Sequence, residues 1–291
     1  MKTNKELNLL RVLAEFRLAT VSLLAAWLEV SEQMIRRRCR QLADRGLVKA
    51  IPRNPGRGRG RPEWIYSLTS AGVGSLTTAK LLPANLPADQ VTGETLERIA
   101  EHQIVLNQLA VITATIEELG EQFAVRFISS TSPFHLSNAR GTILHDKIDF
   151  PDASTFPFTP DAAVCVTHRG LNKSLLFFLE VDMGTEIIAD PRHTSNADVR
   201  RKIVVYRNYL GRLGYKRYEG QNIFNVKFNG FRVLLVAATL KRCEVLCRLV
   251  RSMAPSEFVW VTDLTSIEKQ GISGQLWFVG GQEGVKRSIL G

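Results

Sequence analysis

The chain has 291 residues, enough for two domains of about 100 to 200 residues each, and a hydrophobic content of 45% that excludes disorder as the main state. Its longest apolar runs, SLLFFLEV at 174–181 and VLLVAA at 233–238, fall far short of the roughly 18 to 20 residues of a membrane span, so no membrane partner is expected. The formal net charge is +10, and residues 1–80 carry 15 Lys and Arg against 6 Asp and Glu, leaving 23 against 22 for the rest. A basic head on a near-neutral body points to a polyanion, because phosphate neutralisation with counterion release is the strongest sequence-independent source of such affinity. MKTNKELN is not followed by the apolar core of a signal peptide. The four cysteines, Cys39, Cys165, Cys243 and Cys247, form no CxxC pair and no zinc spacing, which describes a reduced, cytoplasmic protein without structural metal.

From Lys5 to Phe16, Leu7, Leu10, Leu13 and Ala14 recur at helical steps. Thr20 is the expected cap of a short apolar helix, VSLLAAWLEV, and Ser31 caps a third helix that Gly46 stops. That third helix sets Ile35, Cys39 and Leu42 on one side and Gln33, Arg36, Arg37 and Arg40 on the other. LVKAIPR and EWIYSLT read as two strands around NPGRGRGRP, whose glycines and prolines exclude regular structure. Three helices and a hairpin make a winged helix-turn-helix over 1–82. Its third helix fits a major groove, and Arg53, Arg57, Arg59 and Arg61 on the wing suit the DNA backbone or a minor groove. The alternative is a solvated helix face and a plain loop, or a winged helix that docks protein.

LLPANLPADQ reads as a linker over 83–93, followed by a long helix from about Glu94 to Gly120. QFAVRFIS, DAAVCVTH, SLLFFLEV, FRVLLVAAT, FVWVTD and QLWFVG then read as strands, with helices over 196–213 and 241–253. The whole is an α/β protein: a winged helix and, over 94–291, a mixed-sheet α/β domain. Residues 131–159, rich in Ser, Pro, Phe and Asp, show no legible pattern.

Acids stand where apolar strands do not want them. Asp161 follows Pro160 at a strand entry, and Glu180 and Asp182, two apart in FFLEVD, share one face of the next strand. Three carboxylates gathered together repel unless a cation sits among them, and a divalent ion with oxygen ligands, Mg²⁺ or Mn²⁺, answers that need. Such an ion activates water and steadies charge building on a phosphodiester. The alternative is an ion-paired cluster with Arg200, Arg201 or Lys202 and no reaction.

PD followed about twenty residues later by E-x-D at a strand end resembles the PD-(D/E)xK nuclease superfamily. EHQIVLNQL, FTPDAAV, FFLEVDMGTE and RRKIVVYRNYL behind a winged helix resemble the replication-relaxation proteins of plasmids and mobile elements, over roughly residues 5–240. The resemblance implies Asp161 and Glu180 as metal ligands, Glu101 or Glu97 as an accessory acid and His102 beside it. Asp182 stands where the superfamily has its lysine; some members take the cation from the following helix, and Lys202 fills that role here, near Tyr206 and Tyr209.

The leading expectation is a double-stranded DNA-binding protein of a mobile element, with a nuclease-like body for DNA processing or assembly alongside replication or mobilisation proteins. The rivals are a non-enzymatic regulator of transcription or plasmid transfer with an inactive nuclease-like fold, and an interaction scaffold for a relaxase. A homodimer on paired half-sites is compatible with the winged helix.

Overall fold

A computed structural model of the chain describes residues 4–53, 63–83, 86–136, 141–150, 155–184, 198–284 and 286–291. Arg57, Arg59 and Arg61, assigned above to the wing tip, lie outside the described residues. The chain divides into two compact units, Met1–Val111 with Thr131–Ile143 and Ile112–Ser130 with Leu144–Gly291.

The first unit opens with α1 (Asn4–Phe16), β1 (Ala19–Thr20), α2 (Val21–Leu28) and α3 (Glu32–Asp44). The hairpin β2 (Val48–Ile51) and β3 (Ile65–Leu68) follows, then α4 (Ser70–Thr78). The two hairpin strands and β1 form an antiparallel sheet in the order β1-β3-β2. This is the element order of a winged helix, with β1 too short to leave a sequence pattern. Thr20, Ser31 and Thr69 each accept a hydrogen bond from a backbone N–H of the helix they precede, an arrangement that contributes about 1 kcal/mol per cap. Leu9, Leu10, Leu13, Leu24, Ile35 and Cys39 are all sealed from solvent in one core.

The long helix expected from Glu94 to Gly120 divides into a 3₁₀ segment (Glu94–Ile99), α5 (Ala100–Ala114) and a second 3₁₀ segment (Thr115–Leu119). Gly93 supplies no side-chain cap to the first segment, and Gly120 at φ 146° ends the last. The stretch expected to act as a linker is bound to the winged helix through Arg17. Its guanidinium donates to the carbonyls of Asp89 (2.9 Å) and Thr92 (2.8 and 3.0 Å) and to the Thr95 hydroxyl (2.8 Å). Burial draws the Arg17 pKa down to about 10, against the pull of Asp89. Val91 is sealed in the same core. Gly93 is needed there, since a Cβ would stand 2.3 Å from Leu18 Cδ2 and 2.8 Å from the Arg17 carbonyl.

The second unit is built on a seven-stranded mixed sheet. In chain order its strands are β4 (Phe123–Ser129), then, after a separate hairpin of β5 (Asp146–Asp149) and β6 (Thr155–Phe158), β7 (Ala162–His168) and β8 (Lys173–Asp182). Helix α6 (Val199–Gly211), β9 (Phe231–Ala237), α7 (Leu240–Ser252), β10 (Val259–Asp263) and α8 (Leu264–Gln270) follow, then β11 (Trp277–Val279) and β12 (Lys286–Arg287). The order across the sheet is β12-β11-β10-β9-β8-β7-β4. β8, β9 and β10 run parallel, while β4, β7 and β8 pair antiparallel. Parallel crossovers share one hand, so α6 and α7 cover the same face of the sheet. All six strand runs read from the sequence are present; the β5–β6 hairpin occupies the stretch that carries no pattern.

Candidate functional site

Two features carry chemistry, one in each unit. In the first, α3 buries Ile35, Cys39 and Leu42 and leaves Gln33, Arg36, Arg37 and Arg40 exposed. With Ser31 and Met34 these four line a shallow concavity of about 570 Å³. Arg36 pairs with Glu32 at 2.5 Å on the same helix; among the described residues no ion pair ties Arg37 or Arg40. Such exposed pairs contribute about 0 to 1 kcal/mol and yield readily to a stronger anion.

Arg53 behaves differently. Its guanidinium lies fork-to-fork on Glu101, with Nε 2.7 Å from Oε1, and Lys49 on β2 reaches Glu97 at 2.7 Å and Glu94 at 3.5 Å. Glu101 and Glu97, implied as accessory acids, thus neutralise the root of the wing, with His102 half-buried next in sequence on α5. The motif EHQIVLNQL has a structural use that its sequence alone does not announce. Asn107 donates to the carbonyls of Phe16 (3.0 Å) and Leu18 (2.7 Å), and Gln103 to Phe16 (3.3 Å) and to Asn107 Oδ1 (3.0 Å). Both amides are buried, and two amides four residues apart in an apolar helix are the available signal.

In the second unit the antiparallel register pairs Ala162 with Leu179, which sets Asp161 beside Glu180 one step further on. Asp161 Oδ2 accepts the N–H of Val181 at 2.8 Å. Glu180, 5% exposed, is held at both oxygens by α6: Lys202 Nζ stands 3.1 Å from Oε2, and the Tyr206 hydroxyl donates to Oε1 at 2.5 Å. Lys202 and Tyr206 lie one turn apart and so reach the same carboxylate. Burial pushes the Glu180 carboxyl up to about 7, against the lowering pull of Lys202 and with Asp161 adding to the rise. Burial, then the Glu180 charge, raises the Tyr206 phenol well above its ordinary value. The Tyr206 ring stacks on Phe178 at 5.7 Å and meets Phe158 edge-on at 5.5 Å, so its hydroxyl has little freedom.

Asp182 does not join this group. Arg242 on α7 grips it with Nε at 3.0 Å from Oδ1 and a terminal nitrogen at 2.8 Å from Oδ2, and the Gly184 N–H donates to Oδ1 at 2.6 Å. The alternation of β8 does put Glu180 and Asp182 on one face, but each meets a different helix. Among the described residues no group of three or more His, Cys, Asp or Glu side chains is assembled to hold a metal. Asp161 and Glu180 are the two acids left side by side, with Lys202 ion-paired to Glu180.

Above Glu180 opens a cavity of about 300 Å³, walled by Phe156, Phe158 and Val205 and rimmed by His145, Thr159 and Lys202. His145 Nδ1 lies 3.0 Å from the Thr159 hydroxyl, and Arg201 stacks over Phe156 with its guanidinium carbon 4.3 Å from the ring centroid. No helix among the described residues is long and apolar enough to cross a membrane.

Comparison with curated proteins finds no match to the chain. Among solved structures, a mutant of Lactococcus lactis ZitR in its apo form is similar at 19% identity, over 40% of this chain and 83% of that one, with a TM-score of 0.20. Residues 10–225 match the replication-relaxation family, a span that takes in the second half of α1, α2, α3, the hairpin, the Asp161–Glu180 pair and α6. The chain belongs to the replication-relaxation family.

Proposed function

We propose that this protein binds double-stranded DNA of a plasmid or other mobile element through its winged helix, and that its second unit is a PD-(D/E)xK nuclease-like body serving DNA processing or assembly in replication or mobilisation. The observation that carries the first half is the outward row of Gln33, Arg36, Arg37 and Arg40 on a helix whose other side is locked into the core. Arg and Gln are the side chains that bond guanine and adenine edges bidentately in the major groove, and their neighbours neutralise phosphates. The net positive charge of the first 80 residues is concentrated on the same module.

For the body, the support is Asp161 beside Glu180 with Lys202 reaching in from the following helix. Asp161 and Glu180 would hold Mg²⁺ or Mn²⁺, and the ion would supply a polarised water for attack on a phosphodiester. Lys202 holds the Glu180 carboxylate in place and keeps a positive charge at the rim of the cavity, where a phosphate would gather negative charge. A second reading, a non-enzymatic DNA-binding regulator, is favoured by a separate observation: both Glu180 oxygens already accept hydrogen bonds from α6, and Asp182 is held by Arg242.

Gel shifts with duplex at several salt concentrations test the first half; failure to bind any duplex at low salt would remove it. Incubation of supercoiled plasmid with Mg²⁺ or Mn²⁺ separates the two readings of the body. Nicking that disappears in Glu180→Ala and Asp161→Ala establishes the nuclease, and its absence at every metal concentration leaves the regulator.

A further inference from the structure

We infer that the cavity above Glu180 takes one unstacked nucleotide, so that the second unit engages single-stranded or locally opened DNA while the winged helix holds duplex. The inference rests on the DNA-handling reading of the body and names the form of DNA that it admits.

Depth is the first reason. Glu180 forms the floor and is 5% exposed, beneath walls contributed by the β5–β6 hairpin. A base pair kept in its stack cannot present an edge or a phosphate at that depth; a nucleotide must leave the stack to reach it. Size is the second. About 300 Å³ lies at the lower end of small-molecule sites, about 300 to 1,000 Å³, and suits one nucleobase-sized group.

The lining gives the third reason. Phe156 and Phe158 are flat apolar surfaces of the kind on which unpaired bases stack, and Lys202 and His145 stand where a backbone phosphate would enter. Arg201 braces Phe156 from its ring face. At the floor, Glu180 is held by Lys202 and Tyr206, so the base is gripped by its faces and not by this acid.

The test uses the full chain and a labelled single strand of about a dozen nucleotides carrying 2-aminopurine, set against a duplex of the same sequence. Binding should quench the 2-aminopurine emission as the base stacks. Phe156→Ala should lower single-strand affinity about tenfold and restore the emission while leaving duplex affinity unchanged. Because Phe156 is buried, its variant is checked by circular dichroism. His145→Ala, at the exposed rim, supplies the independent measurement with an expected severalfold loss on the single strand alone. A single strand that does not bind, that binds with unaltered emission, or that binds both variants as tightly as the unmodified chain overturns the inference even where duplex binding stands. Loss of duplex binding by the unmodified chain is a different result and removes the reading beneath it.

Discussion

Arg242 holds both carboxylate oxygens of Asp182 in a buried fork, at 3.0 and 2.8 Å. The pair joins the end of β8 to the start of α7, and it accounts for an acid that strand alternation alone would place beside Glu180. Breaking a buried pair from one side leaves an uncompensated charge, which costs about 3 to 5 kcal/mol. Arg242→Ala should therefore show a large drop in urea midpoint, and Arg242→Ala with Asp182→Asn should recover much of it. Equal midpoints for the single variant and the unmodified chain would contradict a buried pair.

On α3 the cations differ in what they are tied to. Arg37→Ala and Arg40→Ala should each weaken duplex binding and lower the slope of log affinity against log salt by about 0.9 for each phosphate that is no longer neutralised. Arg53→Ala should change the slope less, because Glu101 already neutralises that guanidinium. A larger slope change for Arg53 than for Arg37 or Arg40 would mean that the wing root, not α3, grips the DNA backbone.

Asn107 satisfies two backbone carbonyls at the corner between α1 and β1. Asn107→Ala would take the side-chain donor from the Leu18 carbonyl, a penalty of about 1 to 3 kcal/mol, while Gln103 still donates to Phe16. Hydrogen exchange at the amides of α1 and α5 should quicken together. Exchange confined to α5 would show that the amide does not link the two helices.

The pH profile has a defined sign at Glu219. Lys216 at 2.8 Å, the Phe228 N–H at 2.8 Å and Lys227 at 3.0 Å hold its carboxyl down to about 2. A carboxyl depressed in the folded state contributes stability above its unfolded value, near 4.5, and loses it as pH falls toward 2. The melting temperature should decline over that window, and Glu219→Gln should flatten the decline. An unchanged slope in the variant would remove the assignment.

Much of the architecture is legible in the sequence because its signals are local. Thr20 and Ser31 are each marked as caps by residue type and the apolar run behind them, and FRVLLVAAT and FVWVTD announce core strands by short apolar, β-branched and aromatic runs. The β5–β6 hairpin is not legible: its strands have four residues each, and Pro157 interrupts one of them. The site is legible in its acids and in Lys202, since a charged residue in an apolar strand or a helix following it is conspicuous. The choice of Arg242 by Asp182 is not, because nothing near either residue in sequence records which helix will meet the end of β8.

Arg17 sends four hydrogen bonds into residues 89–95 from a backbone position at φ 60°. The winged helix therefore borrows its last structural piece from downstream sequence and is not an autonomous module at residue 82. A fragment trimmed there would leave the Arg17 guanidinium without any of these acceptors and strip the cover that Val91 gives to the core. Any minimal winged-helix fragment made for biophysics needs to extend at least through Asn107.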